Sequence, residues 1–361
     1  MEKIKFDKNY STEFIVSLRR EVHKYFEDNN ISRFGSLNMF FKTFVMLSLF
    51  FTPYFLIISG KFSFGFELWF LWIIMGVGLA GIGLSIMHDG NHGAYSKYNI
   101  INKIMGMTLN MVGGSSKNWK IQHNRMHHTF TNVHEMDPDI SPLPMLRFSP
   151  KAKLYWFHKY QFLYAWFFYG LMTFSWATIK EFLQLGYFKK NKLIKKESYW
   201  PLMLEMIFWK IFYYLYLLVI PMMIIKNLTF GQWFLCFFSM HFVAGIILAT
   251  IFQTAHVMPE CEYPEPNKNG SIENDWAIHQ LQTTSNYAPK SRFFSWFVGG
   301  LNYQIEHHLF PNICHVHYRD ISRIVKRKAK EYDVPYYCEK NYATAIIQHG
   351  KMLYKLGRKN Y

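Results

Sequence analysis

The sequence predicts an all-α integral membrane protein, with four transmembrane helices in two hairpins and a helical cap on the cytosolic side. Three observations predict it. Half of the 361 residues are hydrophobic and 19% are aromatic, well above ordinary soluble usage. The charge-free blocks come in two pairs. Of the 40 Lys and Arg, 37 lie in residues 1–42, 88–203 and 256–361.

Each element follows in order. Residues 1–38 are polar and read as a cytosolic N-terminal segment, with no cleavable signal. Residues 39–87 read as the first hairpin, with charge-free blocks at 43–60 and 68–87 joined by Lys61 to Glu67. Each is close to the ~20 apolar residues that cross a hydrocarbon core. Residues 201–255 read as the second hairpin, with blocks 211–225 and 227–255 split by Lys226. Lys210, at the edge of the third block, is expected to snorkel to the interface. Pro53 and Pro221 are tolerable within spanning helices. Basic residues favour the cytoplasmic face, so both termini, the 88–200 stretch and the 256–361 stretch are expected there. The charge-free segment 160–179 would break this topology if it crossed. It is read as a helix in the interface, with its Tyr and Trp at headgroup level.

Composition excludes several classes. A chain this apolar is not disordered. Cys236, Cys261, Cys314 and Cys338 form no C-x-x-C pair, which argues against a disulfide framework, a thiolate zinc site or an iron–sulfur cluster. The net charge of +16 follows from topology and attraction to anionic lipid, so nucleic acid is not an expected partner. No repeat with a 20–50 residue period is present.

Eight of the sixteen histidines lie in three short runs and one isolated position. HDGNH covers His88 to His92, HNRMHH covers His123 to His128, and QIEHH covers Gln304 to His308. His256 closes FQTAH, after Gln253. Residues at i and i+4 share a helix face, so His88 with His92 and His123 with His127 form two-point clips. The adjacent pairs His127–His128 and His307–His308 point to different azimuths, which suits two neighbouring centres. A lone histidine near a span end is ordinarily packing. Three clusters beyond one membrane face call for coordination. Eight imidazoles exceed a single zinc site and point to two metals. Zinc-protease spacings are absent: HEMDP at His134 lacks the second histidine. His279 is a further candidate ligand. His241, inside the fourth span, is a functional candidate by its position. His23, His134, His158, His315, His317 and His349 are read as surface or supporting groups, and replacing His349 is expected to change neither iron nor activity.

HDGNH, HNRMHH and QIEHH, in that order around two pairs of spans, resemble the three histidine boxes of the membrane fatty-acid desaturases. Gln304 in NYQIEHHLFP resembles the front-end desaturases and the bacterial linoleoyl-CoA-desaturase-like proteins. The resemblance covers roughly residues 35–330. It implies a di-iron enzyme with four spans as a stem and the boxes meeting in a cytosolic cap. It further implies that His88, His92, His123, His127, His128, His256, His307 and His308 carry two Fe ions. Gln304 takes the place of a ninth ligand, bound directly, through water, or behind the others. Asn91 and Trp119 are expected to support the ligands.

The chemistry agrees with that likeness. An unactivated methylene has no acidic proton, so carboxylates cannot remove it, whereas O2 activated at metal can. The protein's task is to position the acyl chain. The substrate would be a fatty acyl-CoA or acyl-lipid, and a cis double bond the product. No HPGG haem motif occurs, so a separate electron donor, cytochrome b5-like or ferredoxin-like, is expected. A di-iron hydroxylase or alkane-type monooxygenase is the alternative enzyme. A membrane metal carrier is disfavoured because the histidines fall beyond the span ends. The Lys- and Asn-rich composition fits a bacterial inner membrane, with the endoplasmic reticulum as the other location.

Overall fold

Long apolar runs with few breakers make long helices, and the computed structural model, which describes residues 4–7, 13–141 and 144–358, contains four that are long and apolar enough to cross a membrane. They are Leu37–Ile58, Phe66–His92, Lys196–Ile224 and Phe230–His256. The protein is an all-α membrane protein. Its β-structure among the described residues consists of two short parallel pairs, Lys5–Phe6 with Ser271–Ile272 and Ser285–Tyr287 with Tyr337–Glu339.

Two helix bounds differ from expectation for physical reasons. The second helix runs on through His92, because a π turn at Ile82–Ile86 continues into Met87–His92 without a break. The third begins well before residue 211, since Tyr199–Trp209 carries only one charge, Glu205. Lys210 therefore lies inside the helix, and it does not snorkel. It is buried 2.8 Å from Glu181, which neutralises it in place.

The chain divides into two compact units. One holds residues 36–121 and 166–250. Its helices touch at glycines. A Cβ on Gly78 would lie 2.6 Å from the Phe50 backbone, so the first two spans approach at backbone contact. A Cβ on Gly76 would lie 2.5 Å from the Met240 carbonyl, and one on Gly83 would lie 3.2 Å from Leu248. Those paired contacts show the second and fourth spans running side by side in the same direction. The 160–179 segment is not one straight helix. Trp156–Gly170 and Met172–Lys190 meet at a bend of 53°, and the pair counts as a fifth span only if it crosses as one. Its second arm packs Phe174 against Phe237, Phe238 and His241. His241 bonds the hydroxyls of Tyr213 at 2.8 Å and Thr173 at 3.1 Å.

The other unit holds residues 1–35, 122–165 and 251–361. Its core joins segments remote in sequence. Phe14, Ile15, Leu18 and Val22 form the apolar stripe of the helix Glu13–Asp28, at the spacing of a helix face. That stripe packs with Ile321, Val325 and Ala329 of Tyr318–Glu331 and with Ile305 and Leu309 beside the third box. The N-terminal segment is thus part of the core beneath the QIEHH helix.

Candidate metal centre

In the unit of residues 36–121 and 166–250, the end of the second spanning helix presents His88 and His92. Their ring centroids are 4.9 Å apart. Trp119 stands edge-on to both, at 5.4 and 5.5 Å. Asn91 turns away from them to brace the helix: its Nδ2 donates to the Gly106 carbonyl at 3.3 Å, and its Oδ1 accepts from Ser116 Oγ at 2.7 Å. Trp119 thus touches the first-box imidazoles, and Asn91 ties their helix to Gly106 and Ser116.

In the other unit, HNRMHH lies on a π-helical stretch, Lys120–His127, followed by His128–Phe130. A π turn aligns residues five apart, not four. His123 and His128 accordingly meet, Nε2 to Nε2, at 3.1 Å. His307 Nε2 completes a triangle, 2.9 Å from His128 and 3.4 Å from His123. The centre of such a triangle is about 1.8 Å from each nitrogen, close to the ~2.0–2.1 Å of imidazole–zinc bonds. His127, His256 and His308 form a second group, with ring centroids 4.7 to 4.9 Å apart. Within each of the sets His127, His256, His308 and His128, His307, His308, the ligand nitrogens all lie within 4.8 Å of one another. Asp139 falls in the same range with His123 and His127.

What turns these nitrogens together is the partner on the other side of each ring. His127 Nδ1 donates to both Asp137 oxygens at 3.0 Å. His308 Nδ1 donates to Gln280 Oε1 at 2.8 Å. His256 Nδ1 donates to the Thr283 carbonyl at 3.2 Å, and His307 Nδ1 faces the Tyr318 hydroxyl at 3.3 Å. With Nδ1 occupied, the Nε2 lone pairs point inward, the arrangement that metal-binding histidines use. The buried His256 Nε2 meets no hydrogen-bonding group among the described residues. Lone pairs facing one another in a dry interior repel unless a proton or a cation sits between them. The donor set fits a metal.

Electrostatics follow the same partners. Burial pulls the His127 pKa down, but the Asp137 and Asp139 carboxylates outweigh it and hold it at about 9. Asp137 stays ionised below the usual carboxylate range despite burial, held by His127 and by the Asn132 and Asp139 backbone N–H groups. Glu306, the carboxylate inside QIEHH, faces away. It accepts from Asn286 at 2.8 Å and bonds the Tyr336 hydroxyl at 3.0 Å, and burial pushes its pKa up to about 7.

Other expected residues sit apart from these groups. His279 is buried against the Phe6 ring at 5.0 Å and belongs to no such group among the described residues. Its helix supplies the neighbouring Gln280 instead, because the side chain one residue on points to the other face. Gln253 donates to the Asp139 carbonyl at 3.2 Å, a supporting contact. Gln304 opens the third-box helix, buried, and its Nε2 has no hydrogen-bond partner among the described residues. His349 is not a surface group. It is fully buried, its Nδ1 donates to the Val257 carbonyl at 2.8 Å, and burial holds its pKa near 4. His158 and His315 are buried too, while His23 is exposed beside Glu27.

Helices fit to cross a bilayer, together with clustered, back-braced imidazoles, define a membrane protein whose histidines could hold metal. Residues 64–340 match the family model described as fatty acid desaturase, and the chain belongs to that family. It is 36% identical over 96% of its length to an acyl-lipid (8-3)-desaturase of Physcomitrium patens, covering 72% of that protein. It is 32% identical to a sn-1 linoleoyl-lipid 6-desaturase of Arthrospira platensis, over 98% of this chain and 95% of the relative. The Synechocystis protein of the same description is 31% identical, over 99% and 98%. The protein is an oxidoreductase that desaturates acyl chains, in a family generally dependent on iron.

Proposed function

We propose that this enzyme is a di-iron, O2-dependent front-end acyl desaturase, working on a lipid-linked chain at the cytoplasmic face. Its two irons are held by His88, His92, His123, His127, His128, His256, His307 and His308, with Gln304 beside them. The observation that carries the reading is the bracing of four imidazoles through Nδ1, which leaves Nε2 for metal. Iron bound there would activate O2, the oxidant that, with two electrons from the donor, takes both hydrogens away as water.

The chain's own residues do the rest. Asp137, Gln280, the Thr283 carbonyl and Tyr318 fix the tautomer and aim of His127, His308, His256 and His307. Trp119 covers the His88–His92 pair with an apolar edge, which limits water there. The 160–179 segment lies in the interface and does not cross. The reducing equivalents come from a separate protein of the cytochrome b5 or ferredoxin kind. Relatives whose names specify acyl-lipid and linoleoyl-lipid substrates support a glycerolipid substrate over a free thioester.

The test is expression in a host of defined fatty-acid composition, with gas chromatography of the lipids. A new cis double bond on the carboxyl side of an existing one is the expected product. A hydroxylated chain, or a new bond toward the methyl end, would overturn the assignment.

A further inference from the structure

The third spanning helix carries an ionisable residue that the metal site does not explain. Lys210 lies fourteen residues from each end of Lys196–Ile224 and is buried. Its ammonium sits 2.8 Å from Glu181 Oε2 and donates to the Gly113 and Trp176 carbonyls, both at 2.6 Å. The other Glu181 oxygen accepts the Ser115 N–H at 2.6 Å, and the Glu181 carbonyl accepts Asn118 Nδ2–H at 2.9 Å. Three of these bonds, through Gly113, Ser115 and Asn118, end on a single turn. That turn is tight. Gly113 has φ +91°, and a Cβ there would lie 2.9 Å from the Tyr213 ring.

A buried ion pair is weak evidence for stability, since apolar residues of similar volume often serve as well or better. Inside an apolar helix it costs still more, so its retention calls for a use. The turn it grips packs against the first box. Ser116 bonds Asn91 of HDGNH at 2.7 Å, and Trp119 packs on His88 and His92. We infer that Lys210 and Glu181 are positioning residues: the pair clamps the Gly113–Trp119 turn and thereby aims the imidazoles of His88 and His92. The inference rests on the proposal that these two histidines hold iron.

The test is the full-length, detergent-solubilised Lys210→Met/Glu181→Leu double variant, compared with His88→Ala and wild type. Iron per chain, thermal midpoint, kcat and KM are measured on each. A positioning clamp predicts kcat down about tenfold or more, with partial loss of iron. It also predicts a thermal midpoint within ~3 °C of wild type and KM within about twofold. Wild-type kcat and iron in the double variant, with His88→Ala depleted in both, would overturn the clamp alone. Equal loss of melting temperature and kcat would also overturn it, by showing a merely structural role. Wild-type iron in His88→Ala would instead overturn the ligand assignment and take the clamp with it. Should the double variant fail to accumulate, the isosteric Glu181→Gln is read on the same split: a lower kcat at unchanged melting supports the clamp, and wild-type kcat refutes it.

Discussion

Asp137→Asn isolates the carboxylate behind His127 while leaving its shape almost unchanged. Asp137 is fully buried and accepts three N–H groups. His127 Nδ1–H reaches both oxygens at 3.0 Å, Asn132 N–H reaches Oδ2 at 2.9 Å, and Asp139 N–H reaches Oδ1 at 2.9 Å. Asparagine has one acceptor oxygen, so its amide NH2 must face at least one of those donors. A buried donor left unsatisfied costs roughly 1–3 kcal/mol, which sets the expected loss of stability. If the NH2 faces His127, the ring turns to its other tautomer and Nε2 carries a proton where metal should bind. Loss of such a partner typically weakens metal affinity about 10- to 100-fold, or ~1.4–2.7 kcal/mol. The assay is iron retained per chain during titration with a chelator, on protein purified alongside Asp139→Asn. The second carboxylate is 3.5 Å from His127 and a quarter exposed, so its change should cost far less. An Asp137→Asn enzyme that holds iron as tightly as wild type would refute the bracing argument.

Three further outcomes follow from the same geometry. His307→Ala should lose iron and activity together, because one corner of the Nε2 triangle disappears; metal analysis and lipid chromatography on one preparation decide it. His349, neutral in the fold with a pKa near 4 against an ordinary 6.5, disfavours protonation of the native state. Its contribution is full above pH 6.5 and is lost as pH falls toward 4, by up to ~3 kcal/mol. Thermal midpoints of His349→Gln should therefore fall less than wild type over that interval, and parallel curves would contradict the assignment. Gly76→Val places a side chain where the Met240 carbonyl already lies 2.5 Å from a Cβ, so the second and fourth spans cannot close. A melting point lowered by several degrees is expected, and an unchanged one would show the contact to be loose.

Much of the fold was legible because its cause is local. Spans declare themselves through composition, since the bilayer acts on each residue in turn, and all four blocks appear as helices within several residues of their expected places except the third. The third helix begins close to the 201 start expected for its hairpin and ahead of its charge-free block, because Lys210 is neutralised within it by a partner 29 residues earlier in the chain. The N-terminal helix is short and amphipathic, so Phe14, Leu18 and Val22 mark it by their spacing and not by a continuous apolar run. The histidine runs are visible in the sequence and their i,i+4 pairs hold, His88 with His92 at 4.9 Å and His123 with His127 at 5.3 Å between ring centroids. The π turn at Lys120–His127 adds what the spacing does not show, bringing His128, five residues on, against His123.

The sequence by itself determined which segments enter the membrane, which imidazoles are available and the class of chemistry they suit, because each depends on residues within a turn or two of one another. Only the tertiary structure decided what stands behind each ring. Gln280 meets His308 across 28 residues, Thr283 meets His256 across 27, and His307 meets His128 across 179. Such partners leave no periodic mark, since a hydrogen bond formed through folding depends on where two backbones come to rest and not on the spacing between them along the chain.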